Sequence, residues 1–448
     1  MSEVIKIKKG LNIPLVGAAE KVFGQVDLPV LFAVKPTDFH GLIPKLVAKP
    51  GDKVQIGSVL FFDKSRPELK FVSPVSGTVK DVVRGARRVI QEVVVENDGK
   101  DDYVDFKSAN VDSRSREEII EKLLESGAWP YLRQRPYNVL ANPELTPKAI
   151  FISGFETSPL AIDIEFAINE EEASFKTGIE VVKKLSSNVH LSTESGSASK
   201  VFQGLKGVKV HKVTGKHPAG NVGVQIHNID PIGKGDVVWT ISPQDVIAIG
   251  RLFETGKHDF TRVIAVAGSE VVKPVYYKGR VGSSVVNYLK DNVKEGTLRI
   301  ISGDVLSGSQ IANDGYLGFY DNLVSVIPEG DEYEFLGWAL PGFKKFSHSR
   351  TFFSWLTRGK KYELNANMHG GERAIVFSGE YDKVLPMDIL FEFLLKATMA
   401  DDVEKMEQLG IYEIVEEDIA LCEYVDTSKI EIQSILRKGM ELMIKEMG

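Results

Sequence analysis

Leu46-Val-Ala-Lys-Pro-Gly-Asp-Lys-Val-Gln-Ile-Gly-Ser-Val-Leu60, followed by Ser73-Pro-Val-Ser-Gly-Thr-Val79, decides how the opening part of this chain folds. Two glycine-bearing turns, Pro50-Gly51-Asp52 and Ser76-Gly77, end short β-rich runs. Alternation through Val54, Ile56 and Val59-Leu60 suits half-buried strands.

This pattern resembles the small barrel-sandwich, or hammerhead, that carries biotin or lipoate. Such carriers present a lysine on a hairpin a few residues ahead of the proline of the second half. Counting back from Pro74, that position falls on Arg66, with Lys64 the nearest substitute. A guanidinium stays protonated and cannot serve as an acylated amine. The expectation is a hammerhead kept as architecture without its cargo.

At 448 residues the chain is too long for one ordinary core, and three or four domains are expected. An apolar content of 43% and a charged content of 26% describe a globular protein. A net charge of −7 argues against broad electrostatic binding to nucleic acid. The start, Met1–Gly10, reads as a strand with charged flanks and is not followed by the apolar core of a signal peptide. No stretch is apolar enough to span a bilayer: Val384–Ala400 carries Asp388, Glu392 and Lys396 at amphipathic spacing. The single cysteine, Cys422, rules out an internal disulfide and any all-cysteine iron–sulfur or zinc site. A cytoplasmic location is expected.

The organisation reads as an α/β multidomain chain in four parts. The hammerhead is expected over 1–105. An α/β domain over 110–258 starts with a capping-box pattern, Ser115-Arg-Glu-Glu118, ahead of Ile119, Ile120, Leu123 and Leu124. It continues with a buried strand at 149–153, a helix at 171–185, strands at 206–213 and 239–241, and a helix at 245–254. That alternation implies a mainly parallel sheet. Over 259–330, strands at 262–268, 272–276 and 298–303 with a short helix at 282–289 suit a ubiquitin-like grasp. The part at 331–448 reads as mainly helical, with helices over 385–400, 402–409 and 429–447.

Taken in this order, the chain resembles the NqrA family, whose members belong to the Na+-translocating NADH:quinone reductase. More remotely it resembles the RnfC component of the Rnf complex and the NADH-binding flavoprotein of respiratory complex I. The resemblance implies a hammerhead, a degenerate Rossmann-like layer, a grasp domain of the SLBB type and a helical tail.

The differences from flavin-binding relatives carry equal weight. Those relatives close a Gly-Gly-Ala-Gly-Phe-Pro loop on a phosphate; here the slot holds Glu125-Ser-Gly-Ala-Trp-Pro130. Glu125 puts a negative charge where an anion would sit, and only Gly127 keeps the freedom to approach a phosphate. The segment the relatives set against flavin and nicotinamide is here Ile152–Pro159, which retains one acid, Glu156. Aligned with two ferredoxin-type C-x2-C-x2-C-x3-C-P runs, the chain offers Ile375, Ser378, Tyr381 and Leu385, then Glu416, Ile419, Cys422 and Asp426. Only Cys422 is a thiol, and a cluster needs about four thiolates.

The resemblance therefore implies a cofactor-free peripheral subunit on the cytoplasmic side of the bacterial inner membrane. It would be part of a translocase (the EC 7.2.1.1 class) that passes electrons from NADH to quinone and exports Na+. Flavins and iron–sulfur centres are expected in partner subunits, and the isolated chain is expected to be inactive. The competing readings are a free-standing flavin- or NADH-dependent dehydrogenase of the same ancestry, an Rnf-type electron transport component, and an acyl or biotinyl carrier.

Three sets of residues stand out as candidate sites. Trp129, Pro130, Tyr131 and Arg133, with Phe151, Phe155 and Glu156 facing them, could hold a flat quinone by stacking and by a hydrogen bond to a carbonyl. The alternative is that Trp129 fills the space a flavin left. His211, His217 and His227 are expected as surface or loop residues, and no metal site is expected. Residues 341–362 contain no acid and carry Lys344, Lys345, Arg350, Arg358, Lys360 and Lys361 among Phe343, Phe346, Phe352, Phe353 and Trp355. This stretch is expected either to dock on a membrane-embedded partner, through Lys344, Lys345 and Arg350, or to pack on its own domain.

Overall fold

The computed structural model describes residues 4–330, 334–357 and 359–447. Within the stretch quoted above, Lys53–Val54 and Gly77–Arg84 pair antiparallel, and Val54, Ile56, Leu60, Val75 and Val79 are buried. Two small sheets result. One runs Leu31–Val34, Ile90–Asn97, Gly77–Arg84, Lys53–Val54; the other runs Pro44–Leu46, Val59–Asp63, Lys70–Val72. Arg66 sits in the turn between the last two strands, 3.7 Å from the buried Asp63 carboxylate. It is folded back onto its own hairpin.

The first two strands of the chain leave this unit. Val4–Ile7 pairs in parallel with Val208–Gly215, and Glu20–Phe23 pairs with Val275–Arg280. The stretch expected as one body over 1–105 therefore sends its leading strands to two other sheets. Local periodicity gives a strand but not its partner.

The α/β layer is a seven-stranded sheet in the order Val4–Ile7, Val208–Gly215, Val189–Glu194, Ala149–Ser153, Val238–Thr240, Arg133–Arg135, Val139–Leu140. Its first five strands are parallel, and the last two form an antiparallel edge. The expected capping box is present: Ser115 Oγ accepts the Glu118 N–H, and the Glu118 carboxylate accepts the Ser115 N–H at 2.8 Å. Helices Glu172–Leu185 and Pro243–Thr255 cross at very short range. A Cβ at Gly178 would stand 2.0 Å from the Val246 carbonyl oxygen, and one at Gly250 would stand 1.9 Å from that of Ser174. Only glycine permits that approach.

A six-stranded mixed sheet follows, in the order Ser309–Ile311, Leu298–Ser302, Leu323–Pro328, Thr261–Ala267, Val275–Arg280, Glu20–Phe23. The helix expected over 282–289 is limited to Val286–Leu289. Ser283 and Ser284 are bridged to Phe32 and Tyr316 instead, which holds the backbone extended.

The C-terminal part is helical, with Phe391–Met399, Val403–Gln408, Glu416–Val425 and Ile432–Met447. The first of these begins six residues later than the pattern suggests, beyond Pro386 and the non-helical Leu390. Glu416–Val425 is a helix over residues whose spacing resembles a ligand run. Its Ile419, Leu421 and Cys422 are fully buried.

Candidate functional site

Ser153 ends one parallel strand and Thr240 ends its neighbour. From Ala149–Ser153 the chain continues to strands on one side, then returns to place Val238–Thr240 on the other. Such a reversal leaves a crevice beyond the carboxyl ends of the two strands, where ligands of open α/β sheets bind. A cavity of about 220 Å³ lies there, walled by Ser153, Glu156, Thr157, His217, Arg133 and Asp304 among others. A second cavity of about 440 Å³ adjoins it, lined by Phe39, His40, Phe319, Gln433 and Arg437. Arg133, Tyr320, Asp321, Ser307 and Glu417 line both. The paired cavities thus sit where all four parts of the chain meet.

Of the seven residues expected to contact a quinone, two reach a cavity. Arg133 stands in the common wall, with its guanidinium 4.8 Å over the Tyr320 ring. Glu156 lines the first cavity and is exposed to solvent there. Desolvation by the cavity walls, with the nearby carboxylates of Asp304 and Glu417, raises its pKa to about 8.

The other five are packed elsewhere. Trp129 is fully buried, donates Nε1–H to the Ala141 carbonyl at 2.8 Å and meets Trp239 edge-on at 5.5 Å. Tyr131 bonds His258 at 3.0 Å and stacks on Phe319. Pro130 contributes only its carbonyl, which accepts the Tyr320 hydroxyl at 2.8 Å. Phe151 stacks on His190 at 4.5 Å on the other face of the sheet region, and Phe155 lies in the main core. The aromatic residues that do line the cavities are Phe39, Phe319 and Tyr320. They come from other domains, so no local spacing points to them. Gly127, expected to free the backbone for a phosphate, instead packs against the barrel-sandwich: a Cβ there would stand 2.6 Å from Val72.

The histidines are likewise not free surface residues. His217 is 3% exposed, with Nδ1 3.2 Å from Thr157 Oγ1. His211 pairs with His190 across adjacent strands at 2.9 Å. His227 lies on helix Val222–Ile229 and joins Glu413 at 2.7 Å to the Asp388 N–H at 3.0 Å. Turn-forming neighbours give the stretch the look of a loop, while the tertiary contacts that cover it come from distant segments. Among the described residues no group of three or more His, Cys, Asp and Glu side chains is placed to hold a metal.

The C-terminal helices close over the cavities. Arg135 donates to Asp418 at 2.7 Å and to Glu417 at 2.5 Å, and Asn221 donates to the Glu417 carbonyl at 2.8 Å. Arg437 pairs with Glu416 and donates to the Tyr137 carbonyl at 2.9 Å. Among the eight positions aligned with cluster ligands, the Tyr381 hydroxyl donates to Asp426 at 2.7 Å, tying the two runs together.

The basic stretch presents part of its apolar surface outward: Phe343 is 62% exposed, with Phe353, Trp355 and Leu356 also exposed, while Phe346 and Phe352 are half-buried and Tyr362 is buried. Just ahead of it, Phe335 is 90% exposed and Trp338 77%. Lys344 is exposed, and Arg350 lies 5.8 Å from the Trp355 ring. Lys345 pairs with Glu334 and donates to the Gly337 carbonyl at 3.1 Å, so part of its charge is used within the segment. Arg358 lies outside the described residues. No helix among the described residues is long and apolar enough to cross a membrane.

Three family models match this chain: the NqrA N-terminal barrel-sandwich hybrid domain over 5–98, the NqrA second alpha/beta domain over 114–258, and the NQRA C-terminal domain, of SLBB type, over 263–313. Among curated relatives, the NqrA subunit of the Na(+)-translocating NADH-quinone reductase of Saccharophagus degradans is 38% identical over 446 residues, covering 99% of this chain and 100% of the relative. Its counterpart in Hahella chejuensis is 38% identical, with 99% and 100% covered. That of Yersinia pestis bv. Antiqua is 39% identical, with 97% and 98% covered. With identity of this order running from end to end, the chain belongs to the NqrA family of Na(+)-translocating NADH-quinone reductase subunits.

Proposed function

We propose that this chain is the cofactor-free, peripheral NqrA component of a complex that couples electron transfer from NADH to quinone with Na+ export, and that it sits on the cytoplasmic face of the bacterial inner membrane. Its α/β layer acts as a degenerate Rossmann-like scaffold and its mixed sheet as a ubiquitin-like grasp, with flavins and iron–sulfur centres carried by other subunits. The boundaries of the four units are 1–105, 110–258, 259–330 and 331–448, with the two leading strands exchanged as described. Quinone contact, where it occurs on this chain, is assigned to the cavities joined at Arg133, with Glu156 at the inner wall. Trp129, Pro130, Tyr131, Phe151 and Phe155 are read as packing residues outside the quinone contact.

The observation that carries the reading is the acid-free aromatic stretch at 341–362, in which Phe343, Phe353, Trp355 and Leu356 stand in solvent. Exposed apolar side chains among cationic ones are suited to a partner surface. The partner of choice is a membrane-embedded component of the complex, met through Lys344 and Arg350, with Lys345 shaping the loop. Charge reversal at Lys344, Lys345 and Arg350, followed by recovery of the tagged chain from native membranes, tests this. Loss of the co-purifying subunits is expected; undiminished recovery removes the docking assignment.

A further inference from the structure

The inner wall of the first cavity holds a polar group that no internal contact uses. His217 is 3% exposed, and its Nε2 has no partner among the described residues. Its Nδ1 lies 3.2 Å from Thr157 Oγ1, and that oxygen already accepts the Gly220 N–H at 2.9 Å. In the tautomer in which the Thr157 hydroxyl donates to Nδ1, the ring proton stands on Nε2. Burial holds the imidazole neutral at pH 7, with its pKa lowered to about 4 against the opposing pull of Asp304 and Glu417. A buried donor without an acceptor is costly, and so is a place to look for a ligand.

The charged groups around it are otherwise engaged. Asp304 accepts the N–H groups of Leu306 and Ser307 at 2.7 and 3.1 Å, Asp321 accepts the Ser302 hydroxyl at 2.5 Å, and Glu417 takes Arg135 at 2.5 Å. Glu156, which also takes a hydrogen bond from Asn322, lines the space with His217 and Arg133. At neutral pH the raised pKa of Glu156 keeps its carboxyl protonated, which makes it a donor too. A volume of about 220 Å³ is below the roughly 300–1,000 Å³ of drug-sized ligand sites and suits a single ring.

We propose that His217 Nε2 and the Glu156 carboxyl act together as a paired hydrogen-bond donor to a ring oxygen of a quinone head group, which makes His217 a positioning residue for that ligand. This rests on the reading that a quinone enters the cavity beside Arg133. The ring's substituents face the larger cavity across Arg133 and Tyr320.

Equilibrium binding of a short-chain quinone to the full chain and to the assembled complex tests the pair, with thermal unfolding as the folding control. His217→Leu is expected to weaken binding about tenfold, the effect of one lost hydrogen bond. His217→Gln, which keeps a donor, is expected to restore most of it. Wild-type affinity should fall as the pH rises through about 8, and Glu156→Gln should flatten that profile. If Arg133→Ala and Glu156→Gln weaken binding while both His217 variants match wild type, the paired donor is wrong and the quinone reading stands. If none of these variants moves the affinity, no quinone occupies this cavity and both statements fall. Should His217→Leu fail to fold, the His217→Gln affinity and the Glu156→Gln pH profile decide the outcome.

Discussion

Arg135 and Asp418, 283 positions apart in the chain, meet as a buried ion pair at 2.7 Å. Their side chains are 2% and 0% exposed, so this contact between the sheet edge and the C-terminal helices is sealed from water. Truncating either partner strands a charge inside protein, which costs roughly 3–5 kcal/mol. Arg135→Ala and Asp418→Ala should each lower the unfolding free energy by that order, read as a lower urea midpoint. The double variant should lose less than the sum of the two, because neither of these two buried charges is then stranded by loss of the other, and only the partly exposed Glu417 is left without Arg135.

Trp129 is predicted to be a packing residue. Trp129→Ala should destabilise the chain by about 3–5 kcal/mol through the cavity left against Trp239. Trp129→Phe should cost less and leave quinone affinity unchanged, measured by equilibrium unfolding and binding on the same preparations. A binding defect in a fully folded Trp129→Phe protein would return the indole to the site.

Glu156 gives a pH dependence with a definite sign. Its folded-state pKa, about 8, lies above the ordinary carboxyl value of 4.5. Between those values the folded chain holds a proton that the unfolded chain has released, so this residue's contribution to stability falls as the pH rises across that window. Glu156→Gln should remove the dependence, and its stability advantage over wild type should grow from pH 5 to pH 8 in denaturant titrations.

Cys422 is fully buried, and burial, with Asp382 and Asp426 nearby, pushes its thiol pKa upward. It should resist alkylation in the folded chain and react at the rate of global or C-terminal unfolding. Rapid labelling under native conditions would show that helix Glu416–Val425 opens independently. Cys422→Ala should cost little beyond the lost packing.

Patterns carried by neighbouring residues are legible in the sequence. The turns at Gly51 and Gly77, the capping box of Ser115 and Glu118, and the helices at 172–185 and 243–255 all follow from local spacing, and their bounds in the fold lie close to those the spacing predicts. Contacts between distant segments are not legible. Nothing in the period of Val4–Ile7 tells that it joins Val208–Gly215, and nothing near Trp129 tells that Phe319 and Phe39, rather than Phe151, line the cavity. Glu156 and Arg133 can be picked out because they stand in the two segments that flavin-binding relatives set against their cofactor. His217 can be singled out but its burial cannot, since that comes from the convergence of Asn12, Thr157 and the turn at Gly220.

From its order of residues alone this chain determined which segments are strands and helices, that the carrier lysine is replaced, and that one thiol stands where clusters need several. Those are properties of side-chain type and short-range spacing, which act before the chain has folded. Tertiary structure decided where the cavities lie, which groups face them and which charges are sealed between domains. Burial, pKa and unpaired donors depend on what surrounds an atom, and here those surroundings are assembled from four parts of the chain far apart in sequence.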